Sequence, residues 1–358
     1  MRSVLPTRPM LARWQPWALI AAGVSLIAML HHAYATVYTE PDLQVWRMAA
    51  RLWLEGIDPY GPIGDQRLGT GSGFAYPFPA VLICLPLAPL SLAWASTIWA
   101  LMSLAVAGVL PGALQDRLDP WIVVSMLAYL PLWASLAEGQ WGPMLLLWTL
   151  LSLYWLRRER WRLSGAVAAL TLLKPNVGIA LLAGIAAYAL CVRVPRRWWT
   201  GLALGLLIFW VGTQALAPGW TLAWLEQLRA YDAEDQNRID AMSITGAFAG
   251  VMAMICTLVA WRRRNARLLL AGLVTVVMLI LPTRSFYNHV VLSLPIALLP
   301  LRIAAPVALL SWGVLALPAI TTDIGFARSL AFYLPLSIGL AAAAWQAKEQ
   351  ETGTSCAS

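Results

Sequence analysis

The sequence predicts an all-α protein whose helices cross a membrane about twelve times. Of its 358 residues, 60% are hydrophobic and only 12% are charged, whereas a soluble domain carries roughly 25% charged residues. The mean hydropathy of +0.69 agrees with this class. Many of the 20 tryptophans lie at the ends of apolar runs, where indole rings favour the headgroup region of a bilayer.

The apolar runs define the candidate spans, and the first of them is expected to be retained because no convincing cleavage site follows it. Thirteen literal spans would place the C-terminus outside, although both termini carry the charge of cytoplasmic segments. We therefore expect one early segment not to cross, either the proline-rich stretch 74–90 or the break at Glu138–Pro143. The candidate spans are 17–36, 74–90, 93–113, 121–137, 143–156, 163–175, 177–192, 198–216, 244–261, 267–282, 286–300, 303–320 and 328–346.

The charges between the runs predict an orientation. Basic residues cluster in segments 1–16, 157–162, 192–199 and 262–267, and the positive-inside rule makes these segments cytoplasmic. Segments 37–73 and 217–243 carry most of their charge as Asp and Glu and are predicted to be outer loops. This gives one transmembrane domain over 1–346, followed by a cytoplasmic tail, 347–358, that we expect to be disordered.

The first outer loop is predicted to contain an amphipathic helix that lies along the membrane surface. From Asp42 to Glu55, the residues Leu43, Trp46, Ala50 and Trp53–Leu54 recur on one side at helical spacing, which is typical of interfacial helices.

Several classes of function are excluded by composition and motif. The positions of the basic clusters argue against nucleic acid as a partner of this +8 chain. The four cysteines show neither a disulfide framework nor metal-ligand spacing, and three histidines are too few for a His-rich metal site. The sequence contains no P-loop, GxGxxG or HExxH motif and no GxSxG elbow. We expect no metal and no cofactor.

Polar and ionisable side chains in or beside membrane spans are costly, so they are functional candidates. Five clusters have this character, and the predicted topology places all of them on the outer side. They are Glu40-Pro41-Asp42; Asp58-Pro59-Tyr60 with Tyr76 downstream; Glu138-Gly139-Gln140-Trp141; Lys174-Pro175-Asn176; and Arg284 to His289, which includes Tyr287 and Asn288.

Each cluster also has a structural interpretation. Asp42 is placed to be a general base, but acids also favour helix N-caps. Asp58-Pro59 is typical of a turn, and its neighbouring aromatics suit either a sugar face or the membrane interface.

The remaining alternatives are similarly open. Glu138 and Gln140 suit either a plain loop or a cavity. Lys174 can extend to the headgroups or neutralise a phosphate, and Arg284 beside His289 suits phosphate binding.

Several segments together resemble glycosyltransferase family 87, the polyprenyl-phosphate-mannose-dependent mannosyltransferases and their relatives, which have the GT-C membrane fold. The resemblance rests on PDLQVWRMAARLWLEGIDPYG, FAYPFPAVLICLPLAPL, the Gly139-Gln140 turn, RRERWRLSG leading to Leu173-Lys174-Pro175, and YNHVVLSLP. Two departures are Tyr76-Pro77-Phe78-Pro79 in place of Tyr-Pro-Pro, and a single His where relatives often carry two. The chain is also somewhat short for the family.

The resemblance implies an inverting transfer of a mannose-like hexose from a polyprenyl-phosphate donor to a lipid or glycan acceptor, at the outer face of the cytoplasmic membrane. Asp42 would be the catalytic base. Lys174 and Arg284, with Arg47 and Arg51 behind them, would hold the donor phosphate. The sugar and acceptor pocket would be formed by Glu40, Asp58, Tyr60, Tyr76, Glu138, Gln140, Asn176, Tyr287, Asn288 and His289.

Three rival functions remain open at the level of sequence. A transporter or flippase for a lipid-linked sugar would also have many spans and a buried Lys and Arg, although such proteins often show paired repeats, and none is evident. A non-enzymatic partner of an envelope complex would not depend on Asp42. A glycan polymerase or ligase would usually place its key groups in one large late outer loop, but here that loop, 217–243, is acidic.

Overall fold

A computed structural model describes residues 20, 23–24, 41–69, 74–115, 120–234, 244–280, 286–312 and 332–355. Within these ranges 83% of the residues are helical and none forms a strand, which confirms the all-α prediction. Most of the predicted first span 17–36 lies outside the described residues, as do 235–243 of the second outer loop and 313–320 of a later span.

The helices begin and end close to the predicted apolar runs, because prolines and glycines separate these runs in the sequence. In chain order they are α1 Pro41–Leu54, α2 Pro62–Leu68, α3 Phe78–Cys84, α4 Leu92–Gln115, α5 Pro120–Leu127, α6 Leu130–Ala137, α7 Gly142–Arg157, α8 Trp161–Ala168, α9 Pro175–Cys191, α10 Arg196–Leu206, α11 Trp220–Glu234, α12 Ile244–Arg262, α13 Ala266–Ile280, α14 Ser293–Ala297, α15 Leu301–Leu310 and α16 Leu334–Ser355.

Short non-α turns extend several of these helices. Helix α3 continues as a 3-10 turn, Leu85–Leu87, and α8 continues as Ala169–Leu173. Helix α10 continues through a π-helical turn, Leu207–Val211, and a 3-10 turn, Gly212–Ala215; a further 3-10 segment, Phe286–Leu292, leads into α14.

The predicted number of about twelve spans is not confirmed. Among the described residues, one helix is long and apolar enough to cross a membrane by itself, with its apolar window at Leu92–Val109. Counting each bent pair as one span raises the number to three, the pairs being α5 with α6, bent by 54°, and Arg196–Ala215 with Trp220–Arg229, bent by 100°. Eight other apolar helices have 10–17 residues.

The segment 74–90 contains only a short helix. The stretch Phe78–Leu87 is among the short apolar helices. A helix rises 1.5 Å per residue, so these ten residues reach about 15 Å, roughly half the hydrocarbon thickness of a bilayer. That this early segment does not cross the membrane stays a prediction.

Helix α1 is amphipathic but more deeply packed than a helix resting on the surface. Its Leu43, Trp46 and Ala50 are buried in the main hydrophobic core. Arg47 of the same helix donates from NH1 to the Leu90 carbonyl at 2.6 Å, which ties α1 to the turn after α3. One residue of the predicted apolar face is placed wrongly: Leu54, the last residue of α1, is 64% exposed.

Helices α8 and α10 touch through glycines. A Cβ atom at Gly165 would lie 2.1 Å from the Trp198 carbonyl oxygen, and one at Gly201 would lie 2.1 Å from the Arg162 carbonyl oxygen. Only glycine permits such an approach of two backbones, and membrane helices commonly associate in this way. The contact holds α8 in place, and with it the end of α8 that leads to Lys174.

The C-terminal segment differs from the prediction. Helix α16 runs to Ser355 and so includes most of 347–358, which we expected to be disordered. The sequence AAAAWQAKEQE within it consists largely of strong helix formers, so local propensity favours continuation of the helix.

Candidate active site

Polar side chains from four separate parts of the chain converge at one place. Lys174 Nζ donates a short hydrogen bond to Gln140 Oε1 and lies 5.9 Å from the centre of the Tyr76 ring. Tyr76 hydrogen-bonds the Asp42 carboxyl group, which also interacts electrostatically with Lys174 and Glu138. The sequence selected all five residues, and the structure brings them together.

The turn between α6 and α7 presents Gln140 to this cluster. Gly139 has a φ of 61°, its N–H bonds the Leu136 carbonyl, and the next N–H, of Gln140, bonds the Ser135 carbonyl at 2.7 Å. This pair of hydrogen bonds is the Schellman motif that ends helices at a left-handed glycine. Gln140 is consequently held in a fixed position with 0% exposure, which supports the cavity interpretation over a plain loop.

Lys174 lies at the break between the 3-10 turn Ala169–Leu173 and α9. Pro175 occupies the first turn of α9, and a proline disfavours helical geometry at the residue before it. Gly178 allows the two segments to approach, because a Cβ atom there would lie 1.7 Å from the Thr171 carbonyl oxygen. Lys174 is 6% exposed and bonded to Gln140, so it does not extend towards headgroups as the alternative interpretation expected.

Two hydrogen bonds fix the backbone around Tyr76. Tyr60 donates its hydroxyl to the Tyr76 carbonyl at 2.7 Å, and Trp224 of α11 donates its indole N–H to the Ala75 carbonyl at 3.0 Å. The Tyr60 N–H in turn bonds Asp58 Oδ1 at 3.0 Å. Asp58 itself is exposed, so Asp58 and Tyr60 act on the site through the loop that carries Tyr76.

Asp42 has the electrostatic properties of a base. Burial raises the pKa of its carboxyl group to about 6, an effect opposed by the charge of Lys174, reinforced by Glu138 and opposed again by the hydrogen bond from Tyr76. At neutral pH the carboxylate is therefore ionised, yet it accepts a proton more readily than an exposed aspartate. A pKa near the working pH is favourable for general base catalysis.

Four aromatic rings form a wall behind these polar groups. The Trp46 ring lies 5.2 Å from Tyr76, 5.5 Å from Trp99 and 5.1 Å from Trp141 between centroids. Trp99 and Trp141 are 5.3 Å apart, and the Trp99 indole donates to the Gln140 carbonyl at 3.1 Å. We call Trp46, Tyr76, Trp99 and Trp141 the aromatic wall. The sequence did not mark its tryptophans as site residues; the adjacency of Trp141 to Gln140 was the one available signal.

Comparison with known proteins identifies the family. The profile of glycosyltransferase family 87 matches residues 74–299, more than half of the chain. The chain belongs to glycosyltransferase family 87. No curated protein and no solved structure matches it. The matched region includes Tyr76, Gln140 and Lys174 and begins after Asp42.

Family 87 membership makes this chain a glycosyltransferase and supports the transferase over the transporter hypothesis. Together with the apolar helices it indicates a membrane protein. Among the described residues, no group of three or more His, Cys, Asp and Glu side chains could hold a metal ion.

The two arginines of α1 lie away from the cluster in this glycosyltransferase. Arg47 uses NH1 on the Leu90 carbonyl and NH2 on Gln44 Oε1 at 3.2 Å, so it joins two parts of the fold. Arg51 is exposed in the last turn of the helix, about 13 Å along the axis from Asp42 at 1.5 Å per residue.

The other predicted pocket residues differ in their surroundings. Asn176 is exposed on α9. His289 is 1% exposed, its ring lies 4.9 Å from Phe332 and 5.3 Å from Tyr333, and its carbonyl accepts the Tyr129 hydroxyl. Asn288 is buried beside it. Glu40 and Arg284 lie outside the described residues, as does the side chain of Tyr287.

Proposed function

We propose that this family 87 glycosyltransferase moves a mannose-like hexose from a polyprenyl-phosphate donor to a hydroxyl of a lipid or glycan acceptor, with inversion at the anomeric carbon. The reaction would take place at the outer face of the cytoplasmic membrane, with both termini cytoplasmic. The observation that carries the proposal is the convergence of Asp42, Tyr76, Gln140 and Lys174 from four segments of the chain.

Asp42 supplies the group that inversion requires. In a single displacement, the acceptor hydroxyl attacks the anomeric carbon while its proton passes to a carboxylate. A carboxyl group with a pKa of about 6 is deprotonated at neutral pH and accepts that proton efficiently. The polyprenyl phosphate leaves as a stable anion, so no strong general acid is needed.

Lys174 supplies the positive charge. As the glycosidic bond breaks, negative charge grows on the bridging phosphate oxygen, and a nearby buried cation stabilises it. Lys174 is held in position by Gln140, whose amide oxygen accepts a hydrogen bond from the lysine ammonium group. The Tyr76 ring, 5.9 Å away, stabilises the ammonium group through its π face.

The test is transfer by membranes containing the Asp42→Asn variant, supplied with a labelled polyprenyl-phosphate hexose. We expect the rate to fall by about 10²- to 10⁴-fold, the usual contribution of a general base, at unchanged expression. Glu55→Gln is the matched control, since Glu55 follows the same helix but forms an exposed ion pair with Arg67 at 2.6 Å.

Undiminished transfer by Asp42→Asn would overturn the base assignment. NMR of the anomeric proton in the product tests the stereochemistry, and a product with the donor's configuration would contradict inversion. If the wild type transferred no sugar from any polyprenyl-phosphate donor, the donor class would be wrong.

A further inference from the structure

Among the residues that the structure describes, three buried N–H groups in or beside the aromatic wall have no hydrogen-bond partner. They are Trp46 Nε1, Trp141 Nε1 and Gln140 Nε2, and all three side chains are 0% exposed. Folded proteins rarely leave such groups unpaired, because the lost hydration is not replaced, so each one calls for a physical explanation. The three side chains are neighbours: the Trp46 and Trp141 rings lie 5.1 Å apart between centroids, and Gln140 directly precedes Trp141.

The orientation of the Gln140 amide follows from its neighbour. Lysine can only donate hydrogen bonds, so the amide oxygen must face Lys174 Nζ. The amide nitrogen then faces away from Lys174 with both of its hydrogens unused. The unpaired donor is therefore a consequence of the Lys174 contact.

The third tryptophan of the wall is a useful contrast. Trp99 has the same surroundings, with ring centres 5.5 Å from Trp46 and 5.3 Å from Trp141, but its N–H bonds the Gln140 carbonyl. The fold can thus satisfy an indole in this position, and it does so for one of the three.

We infer that Trp46, Trp141 and Gln140 bind the non-bridging oxygens of the donor phosphodiester. This inference rests on the proposed function and adds three binding residues to it. A set of N–H groups without acceptors matches a ligand that only accepts hydrogen bonds, and phosphate oxygens are of that kind. Sugar hydroxyls both donate and accept, so they would require acceptors in the same set. The charge of Lys174, bonded to Gln140, lies beside these donors.

The Tyr76 ring borders both parts of this site. It lies 5.2 Å from the Trp46 ring and 5.9 Å from the Lys174 ammonium group. Tyr76 is partly exposed, whereas Trp46 and Lys174 are buried.

The experiment replaces each indole by a ring without the N–H. Trp46→Phe and Trp141→Phe are compared with Trp148→Phe, because Trp148 Nε1 is also buried and unpaired but its ring is outside the wall. Three quantities are measured in detergent: kcat/KM for a polyprenyl-phosphate hexose, affinity for a short isoprenyl phosphate by calorimetry, and the unfolding temperature. We expect both wall variants to lose about 10- to 100-fold in kcat/KM and affinity, as for hydrogen bonds to charged groups.

A purely structural role predicts that the three variants behave alike. Replacing a tryptophan by phenylalanine removes packed ring atoms together with the N–H, so the unfolding temperature should fall in all three variants, and Trp148→Phe is the reference for that loss. If Trp46→Phe and Trp141→Phe bind and transfer as well as Trp148→Phe does, the inference is wrong. Gln140→Glu adds an independent test: it keeps an acceptor for Lys174 but replaces the donor by a negative charge, so isoprenyl phosphate affinity should fall further.

The binding measurement separates this inference from the proposed function. If the wild type binds isoprenyl phosphate and the wall variants bind it more weakly, the phosphate site is supported even where no sugar is transferred. If the wild type transfers sugar and the wall variants equal it in kcat/KM and in phosphate affinity, the proposed function is supported and the phosphate site is wrong.

Discussion

The helices of this chain are interrupted at two kinds of position. At one kind the polar side chains are buried in the candidate active site, and at the other the charged side chains are exposed. The breaks at Gly139-Gln140 and Lys174 turn polar side chains into the protein, where they are buried and bonded to each other. The turns at Glu159, Arg193 and Arg264 connect neighbouring helices and leave their charged side chains exposed. Burial makes a charge costly and strongly interacting, whereas exposure leaves it screened by water.

The largest expected difference between the two kinds of break is in activity. Lys174→Met should lower the transfer rate by about 100-fold or more, because losing one group that stabilises charge in a transition state typically costs about 10²- to 10³-fold in rate. Arg193→Gln should leave the rate within about twofold, because an exposed charge contributes little. Steady-state transfer assays on both variants measure this contrast. Equal losses would mean that the buried position of Lys174 has no special role.

The next difference is in packing. Gly178→Ala places a Cβ atom 1.7 Å from the Thr171 carbonyl oxygen, so α9 must move away from the turn that carries Lys174. We expect a loss of about 1–3 kcal/mol in the free energy of unfolding, typical of overpacking, together with lower activity. Gly56→Ala is the control, because nothing lies within 4 Å there and the strain comes only from a φ of 76°. Denaturation of both variants in detergent gives the comparison.

The third difference is in the response to pH. The proposed role of Asp42 as the base predicts that transfer falls as the pH drops below its pKa of about 6, by about tenfold per unit. Tyr76→Phe removes a hydrogen bond that lowers this pKa, so the midpoint should move to higher pH. A profile of kcat/KM against pH for both proteins measures the shift, and a midpoint that moves to lower pH would contradict the assignment.

The smallest effect is expected at the exposed turns. Arg264 has a φ of 54°, a left-handed conformation that costs a non-glycine residue about 1 kcal/mol and costs glycine almost nothing. Arg264→Gly should therefore raise stability by about 0.5–1 kcal/mol without changing transfer. Thermal unfolding and a rate assay test this, and a destabilised variant would show that the arginine side chain contributes more than its backbone costs.

The helix boundaries were predictable because local signals set them. Pro175, Gly139 and the apolar runs mark the ends of α6 and α9 without any knowledge of the tertiary structure. The number of about twelve spans stays a prediction, because the described residues contain one helix that is long and apolar enough to cross alone, or up to three spans if each bent pair counts as one. Leu54 was predicted on the apolar face of α1 but is exposed. Helical spacing defines which residues share a face, but the neighbouring elements decide how much of that face they cover.

Site residues could be predicted from the sequence where a polar or charged side chain lies within an apolar run, because burying such a group is costly. Lys174 and Gln140 were selected on that argument, and their contact follows it. Arg47 was predicted from the family resemblance to stand behind Lys174 and Arg284 at the donor phosphate. Its partner is instead the Leu90 carbonyl, and no sequence signal connects Arg47 with Leu90. Trp46 and Trp141 were missed because a tryptophan in an apolar run looks the same whether it anchors an interface or lines a pocket.

The glycine contact between α8 and α10 has a consequence for how the protein is made. Gly165 and Gly201 meet backbone to backbone, but the whole of α9 is synthesised between them. While α9 is emerging, the glycine face of α8 has no partner, so α8 cannot reach its final packing before α10 has been synthesised. The break that carries Lys174 is thus assembled late, and a nascent chain that ends before residue 196 contains every one of the converging polar residues but lacks the helix against which α8 closes.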